Sequence, residues 1–275
     1  MRLPSQAEIL AEAQRALRES GRVALGHIVR TEGSTPGKVG WRLLIREDGS
    51  TYGNLGGGAF EAIVQTDGKV MMACAVPVAE IKRYYFTETA VRGEPTGMVC
   101  GGLAEVFLEV LMAKPLLVVC GGGPVGQAIA QHGALCDFEN LVVEDREEFR
   151  DPDLFPAETK FCAVDREYSG EFMADFAHRE LFVAIVTRCW ETDRAALLGV
   201  ARQTIPNLRY LGLMGSQRKI DRVRDEVETD GVDLKALNLQ APIGLPIGAE
   251  TPSEIAISIL AQVIRSRGTA EEEAS

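Results

Sequence analysis

The sequence predicts an α/β protein: a C-terminal doubly wound parallel sheet of the Rossmann type, preceded by an N-terminal α+β domain. Three observations predict it. The apolar run Leu116–Cys120 leads straight into a glycine turn that fits G-x-G-x-x-G as Gly121, Gly123 and Gly126. Past that turn, short apolar runs alternate with helical stretches, the pattern of strands that are each covered by the following helix. Ahead of Lys114-Pro115 the pattern changes to a tight hairpin and longer strands. At 275 residues the chain is long enough for two cores. The expected division is residues 1–113, residues 114–267, and an acidic tail at 268–275 whose composition reads as disordered.

The elements follow in order. Ser5-Gln6-Ala7-Glu8 is a capping box, Ile9, Leu10, Ala13 and Leu17 recur at helical spacing, and Gly21 stands where a helix stops. Residues 23–29 read as a strand. Residues 41–46 and 50–54 make a hairpin around Asp48-Gly49. Three glycines, 56–58, open a helix over 59–74, with Asp67-Gly68 as a candidate break. Strands are expected at 79–87 and 104–112. Lys114-Pro115 is the boundary between the two patterns.

In the second half, the glycine turn opens a helix over 127–132, and a strand at 141–143 ends in Glu144 and Asp145. Short apolar runs at 161–164 and 181–186 read as strands. A helix over 191–202, a strand over 210–214 and a helix over 216–228 come next. Residues 241–244 close a last short strand. Thr251-Pro252-Ser253-Glu254 is a second capping box, with proline at the first helical position, and its helix is expected to run to Arg267.

Composition excludes several functions. With 46% apolar and 25% charged residues the chain reads as globular, and a net charge of −11 argues against a nucleic acid or an anionic membrane as partner. No apolar run approaches the length of a membrane span, and the polar, helical start does not read as a secretory leader. None of the six cysteines forms C-x-x-C, so free thiols in a reducing cytoplasm are expected rather than disulfides or a zinc site. Three histidines are too few to favour a histidine-based metal site.

The glycine turn carries the clearest chemistry. Gly121 permits a tight turn, Gly123 allows backbone to approach a pyrophosphate, and Gly126 allows close packing of helix and strand. Asp145 stands near the spacing of an acid that accepts from a ribose 2′-OH, which favours NAD or an adenosine nucleotide over NADP, although Arg146 next to it works the other way. The plainer reading is a turn in an α/β fold with no nucleotide. Gly215-Ser216 starts a helix whose first turn holds Arg218 and Lys219. Cations there oppose the helix dipole, so an anion is expected to compensate, the plainer reading being two solvated cations. Glu144, Arg146, Glu147 and Glu148 read as a solvated rim, and Cys120, inside an apolar strand, as core.

Several blocks in order resemble the xanthine dehydrogenase accessory family, XdhC/CoxI. They are G-S-T-P at 33–36, G-N-L-G-G-G-A-F-E at 53–61 and C-G-G at 100–102. Further on come the glycine turn, T-R at 187–188, L-G-L-M-G-S-Q-R-K at 211–219 and P-I-G-L-P-I-G-A-E-T-P at 242–252. The resemblance implies an accessory protein for a molybdenum hydroxylase. Such a protein binds the molybdenum cofactor (molybdopterin) transiently, works with a cysteine desulfurase while the sulfido ligand is installed, and delivers the cofactor to the apoenzyme. A cytoplasmic homodimer is expected. Two departures stand out: the family tends to carry Gly-His where this chain has Cys189-Trp190, and an acid where it has Pro246.

On that resemblance, Cys100 is a candidate sulfur carrier or molybdenum contact, since a thiolate is both nucleophile and soft ligand. Its plainer reading is a small buried cysteine. Glu61 is a candidate hydrogen-bond acceptor for pterin N–H groups, or simply a favourable charge near a helix N-terminus. Ser34, Lys38 and Arg42 could place an anionic cofactor, or be solvated. Two rivals stay open: an NAD(P)-dependent oxidoreductase, against which no Tyr-x-x-x-Lys or paired acid–base histidine is visible, and a nucleotide-sensing regulator without catalysis.

Overall fold

The structure, a computed structural model, describes residues 3–74, 78–86, 94–95 and 101–273. Two compact units divide the chain, one ending at Ala113 and the other spanning Lys114–Glu273.

In the first unit, helix α1 (Gln6–Ser20) begins at the Ser5/Glu8 capping box and stops at Gly21, whose φ of 79° is the left-handed conformation glycine adopts freely. Strands β1 (Arg22–Glu32), β2 (Arg42–Arg46) and β3 (Thr51–Gly53) follow, then helix α2 (Gly58–Met72) and strands β4 (Ala79–Tyr85), β5 (Glu94–Pro95) and β6 (Leu103–Met112). They form one six-stranded sheet in the order β3-β2-β1-β6-β4-β5. It is antiparallel except for the β4–β5 pair. Strand alternation divides the core between the two faces. Val23, Leu25 and Leu44 pack under Ile9, Ala13 and Ala16 of α1, while Ala24, Ile28, Leu43 and Ile45 pack under Phe60, Val64 and Met71 of α2. Leu10, expected on the apolar face of α1, is 53% exposed instead.

Asp67-Gly68 does not break α2. A Cβ at Gly68 would lie 2.6 Å from Ile45 Cδ1, so the missing side chain lets the helix sit down on the sheet. Asp67 accepts from Tyr84 Oη at 2.6 Å and pairs with Lys82. Both residues are explained by tertiary contacts rather than by turn chemistry.

The second unit alternates strand and helix: β7 (Leu116–Cys120), α3 (Pro124–Leu135), β8 (Glu139–Glu144), β9 (Lys160–Ala163), β10 (Leu181–Ile185), α4 (Trp190–Ala201), β11 (Leu208–Leu213), α5 (Gln217–Thr229), β12 (Leu239–Gln240) and α6 (Pro252–Glu273). The sheet is parallel in the order β12-β11-β10-β7-β8-β9. That is the doubly wound arrangement, with its switch point between β7 and β10. Leu116, Val118 and Cys120 face the α4/α5 layer, and Leu117 and Val119 face the α3/α6 layer. Every residue of β7 and β10 is buried, as a two-sided strand requires.

Three boundaries differ from the sequence pattern. Helix α3 starts at Pro124, because a proline at the first helical position gives up no hydrogen bond. The last strand is Leu239–Gln240 and ends before Ala241-Pro242. Finally, α6 continues past Arg267 to Glu273, where composition alone predicts a disordered acidic tail. Each residue added to an existing helix gains a backbone bond without a new nucleation step, and Ala270 and the glutamates after it are good helix formers.

Candidate functional site

In the first unit the glycine motifs meet. Ser34 forms a bridge with Gly101, Gly37 lies against Leu55, and Gly56 against Pro36. The approach is backbone on backbone: a Cβ would lie 2.1 Å from Leu55 O at Gly37, and 2.1 Å from Ser34 O at Gly102. Segments 33–37, 54–58 and 101–102 therefore form one knot that tolerates no side chains at its crossing points. On its outer side, Gly57, Gly58 and Gly101 all have positive φ and nothing within 4 Å of where a Cβ would stand. The positions their side chains would take are open space.

Glu61 ties this knot to the helix. Its Oε1 accepts from Leu55 N at 2.6 Å and from Gly57 N at 3.0 Å. One carboxylate oxygen thus holds the loop in place. Ser34 and Lys38 are exposed and Arg42 is half-buried. Cys100 lies outside the described residues.

In the second unit the glycine turn sits at the carboxyl end of β7, at the switch point. A Cβ at Gly126 would lie 1.9 Å from Gly121 O, one at Gly121 2.7 Å from Val186 O, and one at Gly122 2.3 Å from Phe149 O. Nothing lies within 4 Å of the corresponding point at Gly123. Three of these four positions are therefore closed by packing, and Gly123 alone opens outward. Pro124 brings no N–H, but those of Val125 and Gly126 lie in the first turn of α3 without an intrahelical acceptor. This arrangement fits the pyrophosphate of a nucleotide.

Glu144 corrects the expectation of a solvated rim: it is 1% exposed. Its Oε2 accepts from Gly122 N at 2.7 Å and Arg146 Nη2 at 2.9 Å, and its Oε1 from Arg146 N at 3.1 Å and Nε at 2.9 Å. It is the last residue of β8, a charge ending a buried run, and that placement was visible in the sequence. The carboxylate on the glycine turn is thus that of Glu144.

Asp145, the expected ribose acceptor, instead receives a two-pronged bond from Arg188, at 2.6 and 2.7 Å. The Arg188 fork pushes the Asp145 carboxyl down to about 2. Arg188 follows β10, so this pair joins the loops on either side of β7, in front of the switch point.

A second buried charge lies further along this edge. Asp193, in the first turn of α4, is 0% exposed, with Thr187 Oγ1 at 2.6 Å from its Oδ1 and Lys219 Nζ paired with its Oδ2. Burial raises its pKa even though Lys219 and Thr187 both oppose that shift. The anion expected to compensate the first turn of α5 is thus the chain's own Asp193. Gly215 and Ser216 precede that turn, and the Ser216 side chain makes no capping bond. Arg218 is exposed and, among the described residues, makes no ion pair. Trp190 lies under Arg222, whose guanidinium carbon is 3.6 Å from the centroid of its ring.

Cys120 is fully buried, and burial pushes its thiol far up. Among the described residues no cluster of histidine, cysteine and carboxylate could hold a metal ion, and no helix is long and apolar enough to cross a membrane. A cleft of about 410 Å³ lies beside the amino-terminal half of β11, lined by Leu208, Tyr210, Gln262 and Arg265, away from the strands' carboxyl ends.

Comparison with known proteins agrees with both halves. Residues 7–84 match the XdhC and CoxI family, and residues 117–263 match the XdhC Rossmann domain. The uncharacterised protein YqeB of Escherichia coli (strain K12) is 34% identical over 265 residues, covering 95% of this chain and 47% of that protein. A probable xanthine dehydrogenase subunit of Bacillus subtilis (strain 168) is 30% identical over 164 residues, covering 59% of this chain and 46% of that protein. The chain spans about half the length of these curated relatives. A solved structure described as a xanthine dehydrogenase from Bacillus halodurans aligns with 94% of this chain and 96% of its own, at a TM-score of 0.49 and 19% identity. The chain belongs to the XdhC and CoxI family.

Proposed function

We propose that this family member is an accessory factor for a molybdenum hydroxylase of the xanthine dehydrogenase type. In this reading it binds the molybdenum cofactor transiently, assists its sulfuration together with a cysteine desulfurase, and delivers it to the apoenzyme. The observation that carries the reading is the family match through both halves in the family's order, 7–84 and then 117–263. The Bacillus subtilis relative, named for a xanthine dehydrogenase, supports the choice of client. We place the protein in the cytoplasm as a homodimer.

The glycine knot of the first unit is the proposed seat of the pterin. Gly57 N–H is taken by Glu61 and Gly101 N–H by Phe86 O, so what supports a ligand here is the room that the three glycines leave for close approach. Glu61 Oε1 is engaged with backbone, so any pterin contact falls to the other carboxylate oxygen. The molybdenum is cargo and arrives already held by its pterin, so it needs no protein cluster of its own. Cys100 stays a proposed sulfur contact on the family motif alone.

The glycine turn of the second unit is the proposed site of NAD or another nucleotide, supported by the outward opening at Gly123. That opening also favours, as a second reading, an NAD(P)-dependent oxidoreductase. One experiment separates the two: the small molecules that co-purify from a molybdenum-replete host are identified by mass, and a client apoenzyme is reconstituted with the chain and a desulfurase. Bound pterin and a gain of sulfido client support the accessory role. Hydride transfer to nicotinamide, with no effect on the client, would replace it.

A further inference from the structure

We infer that Arg146, stacked on Phe149, is the platform on which the base of a purine nucleotide lies at the glycine turn. The inference rests on the nucleotide reading of that turn and names the residues that select its ligand.

The geometry starts from Glu144. Two guanidinium nitrogens of Arg146, Nε and Nη2, each lie 2.9 Å from one of its carboxylate oxygens, so the planar group is gripped along one edge. Beneath it, the Phe149 ring lies 3.9 Å from the guanidinium carbon, which fills one of its two faces. Phe149 is itself fixed against the turn, since its carbonyl oxygen stands where a Gly122 side chain would begin. Grip and stack leave the opposite face of the guanidinium as the side chain's open surface, and that side chain is 26% exposed.

A flat, delocalised cation held rigid beside a phosphate-binding turn suits a flat, π-rich partner. A purine covers the whole guanidinium, whereas a single pyrimidine ring covers part of it. Stacking needs no in-plane donor, and this matters because both arginine forks at the site are spent: that of Arg146 on Glu144 and that of Arg188 on Asp145. The donors that remain stand beside the carboxylates of Glu144 and Asp145, which repel a ribose 2′-phosphate. The site therefore reads the base by its face and gains nothing from the extra phosphate of NADP.

The test is calorimetric titration of the full chain with ADP, UDP, NAD, NADP and inorganic pyrophosphate. Arg146→Lys keeps the charge and loses the plane, and Phe149→Leu removes the stack without touching Glu144. Each variant's melting midpoint checks its fold. ADP and NAD are expected to bind more tightly than UDP, and NADP no more tightly than NAD. Both variants should lose about tenfold for ADP, in line with the worth of one base stack, while pyrophosphate binding stays unchanged. ADP affinity unchanged in a folded Phe149→Leu variant, or UDP bound as tightly as ADP, overturns the platform and leaves the nucleotide site standing. If no nucleotide binds the parent chain, the nucleotide reading of the turn falls and takes the platform with it.

Discussion

Lys219→Met is the sharpest test of how the carboxyl edge of the second unit is held. Asp193 is 0% exposed and, among the described residues, Lys219 is the cation paired with it. Removing one partner of a buried pair leaves an unpaired charge in a dry site, at about 3–5 kcal/mol. The Thr187 bond survives, so the lower end, about 3 kcal/mol, is expected. For a unit of this size that is a melting midpoint about 6–12 °C lower at pH 7. The sign with pH follows from burial, which already raises the Asp193 pKa above its ordinary 3.8. A carboxyl raised in the fold contributes stability below its unfolded pKa, and loses it as pH rises through the folded value. Without Lys219 the folded pKa rises further, so the deficit of the variant shrinks on going from pH 7 to pH 5, by up to about 1.4 kcal/mol per pH unit. Thermal melts of both proteins at several pH values, followed by circular dichroism and by the fluorescence of Trp190 in a Trp41→Phe background, read this directly. The double variant Lys219→Met/Asp193→Leu, with both charges gone, should recover most of the loss. A single variant that melts within 2 °C (roughly 1 kcal/mol or less) of the parent at every pH, or a double variant no better than the single, would refute the buried pair.

The other predictions concern the two glycine sites and the cysteines. Gly123→Val should fold normally, since nothing occupies the space outside Gly123, and should abolish nucleotide binding in calorimetry. Gly126→Ala should fail to fold or melt far lower, because its Cβ would lie 1.9 Å from Gly121 O. Glu61→Gln keeps an Oε1 acceptor for Leu55 and Gly57, so its circular dichroism melt should match the parent, while Glu61→Ala should melt lower by the value of two lost hydrogen bonds, about 1–3 kcal/mol. Cys120→Ser should destabilise by about 1–3 kcal/mol in chemical denaturation, by placing a hydroxyl in a two-sided strand, with ligand binding unchanged. In native protein, exposed Cys74 should react with a thiol reagent while Cys120 does not, and equal labelling of the two would contradict the burial of β7.

Much of the fold was legible because its signals are local. Both capping boxes, the Gly21 stop, the Asp48-Gly49 hairpin and the two-sided strands Leu116–Cys120 and Leu181–Ile185 each announce themselves within a few residues. The misreadings came from residues whose role is set by distant partners. Asp67-Gly68 looked like a break because nothing nearby reveals Tyr84, Lys82 or the approach of Ile45. Glu144 looked solvated because its four donors come from a turn 22 residues earlier and from an arginine that folds back on it. Asp145 had the spacing of a ribose acceptor, but spacing along the chain does not reveal Arg188, 43 residues away.

The loop after β10 ties helices α4 and α5 to the switch edge. Thr187 is bonded to Asp193 and Lys219 is paired with that same carboxylate. Between those anchors stands Trp190, which contributes no titratable group. Its ring instead stacks beneath Arg222 of α5 and ties the same two helices together from outside. Cys189 before it has its sulfur 3.3 Å from Thr192 Oγ1, a contact within its own turn. Asp193 is committed to Thr187 and Lys219 in a site closed to solvent, whereas Glu191, in the same turn of α4, is exposed. The loop reads here as a brace.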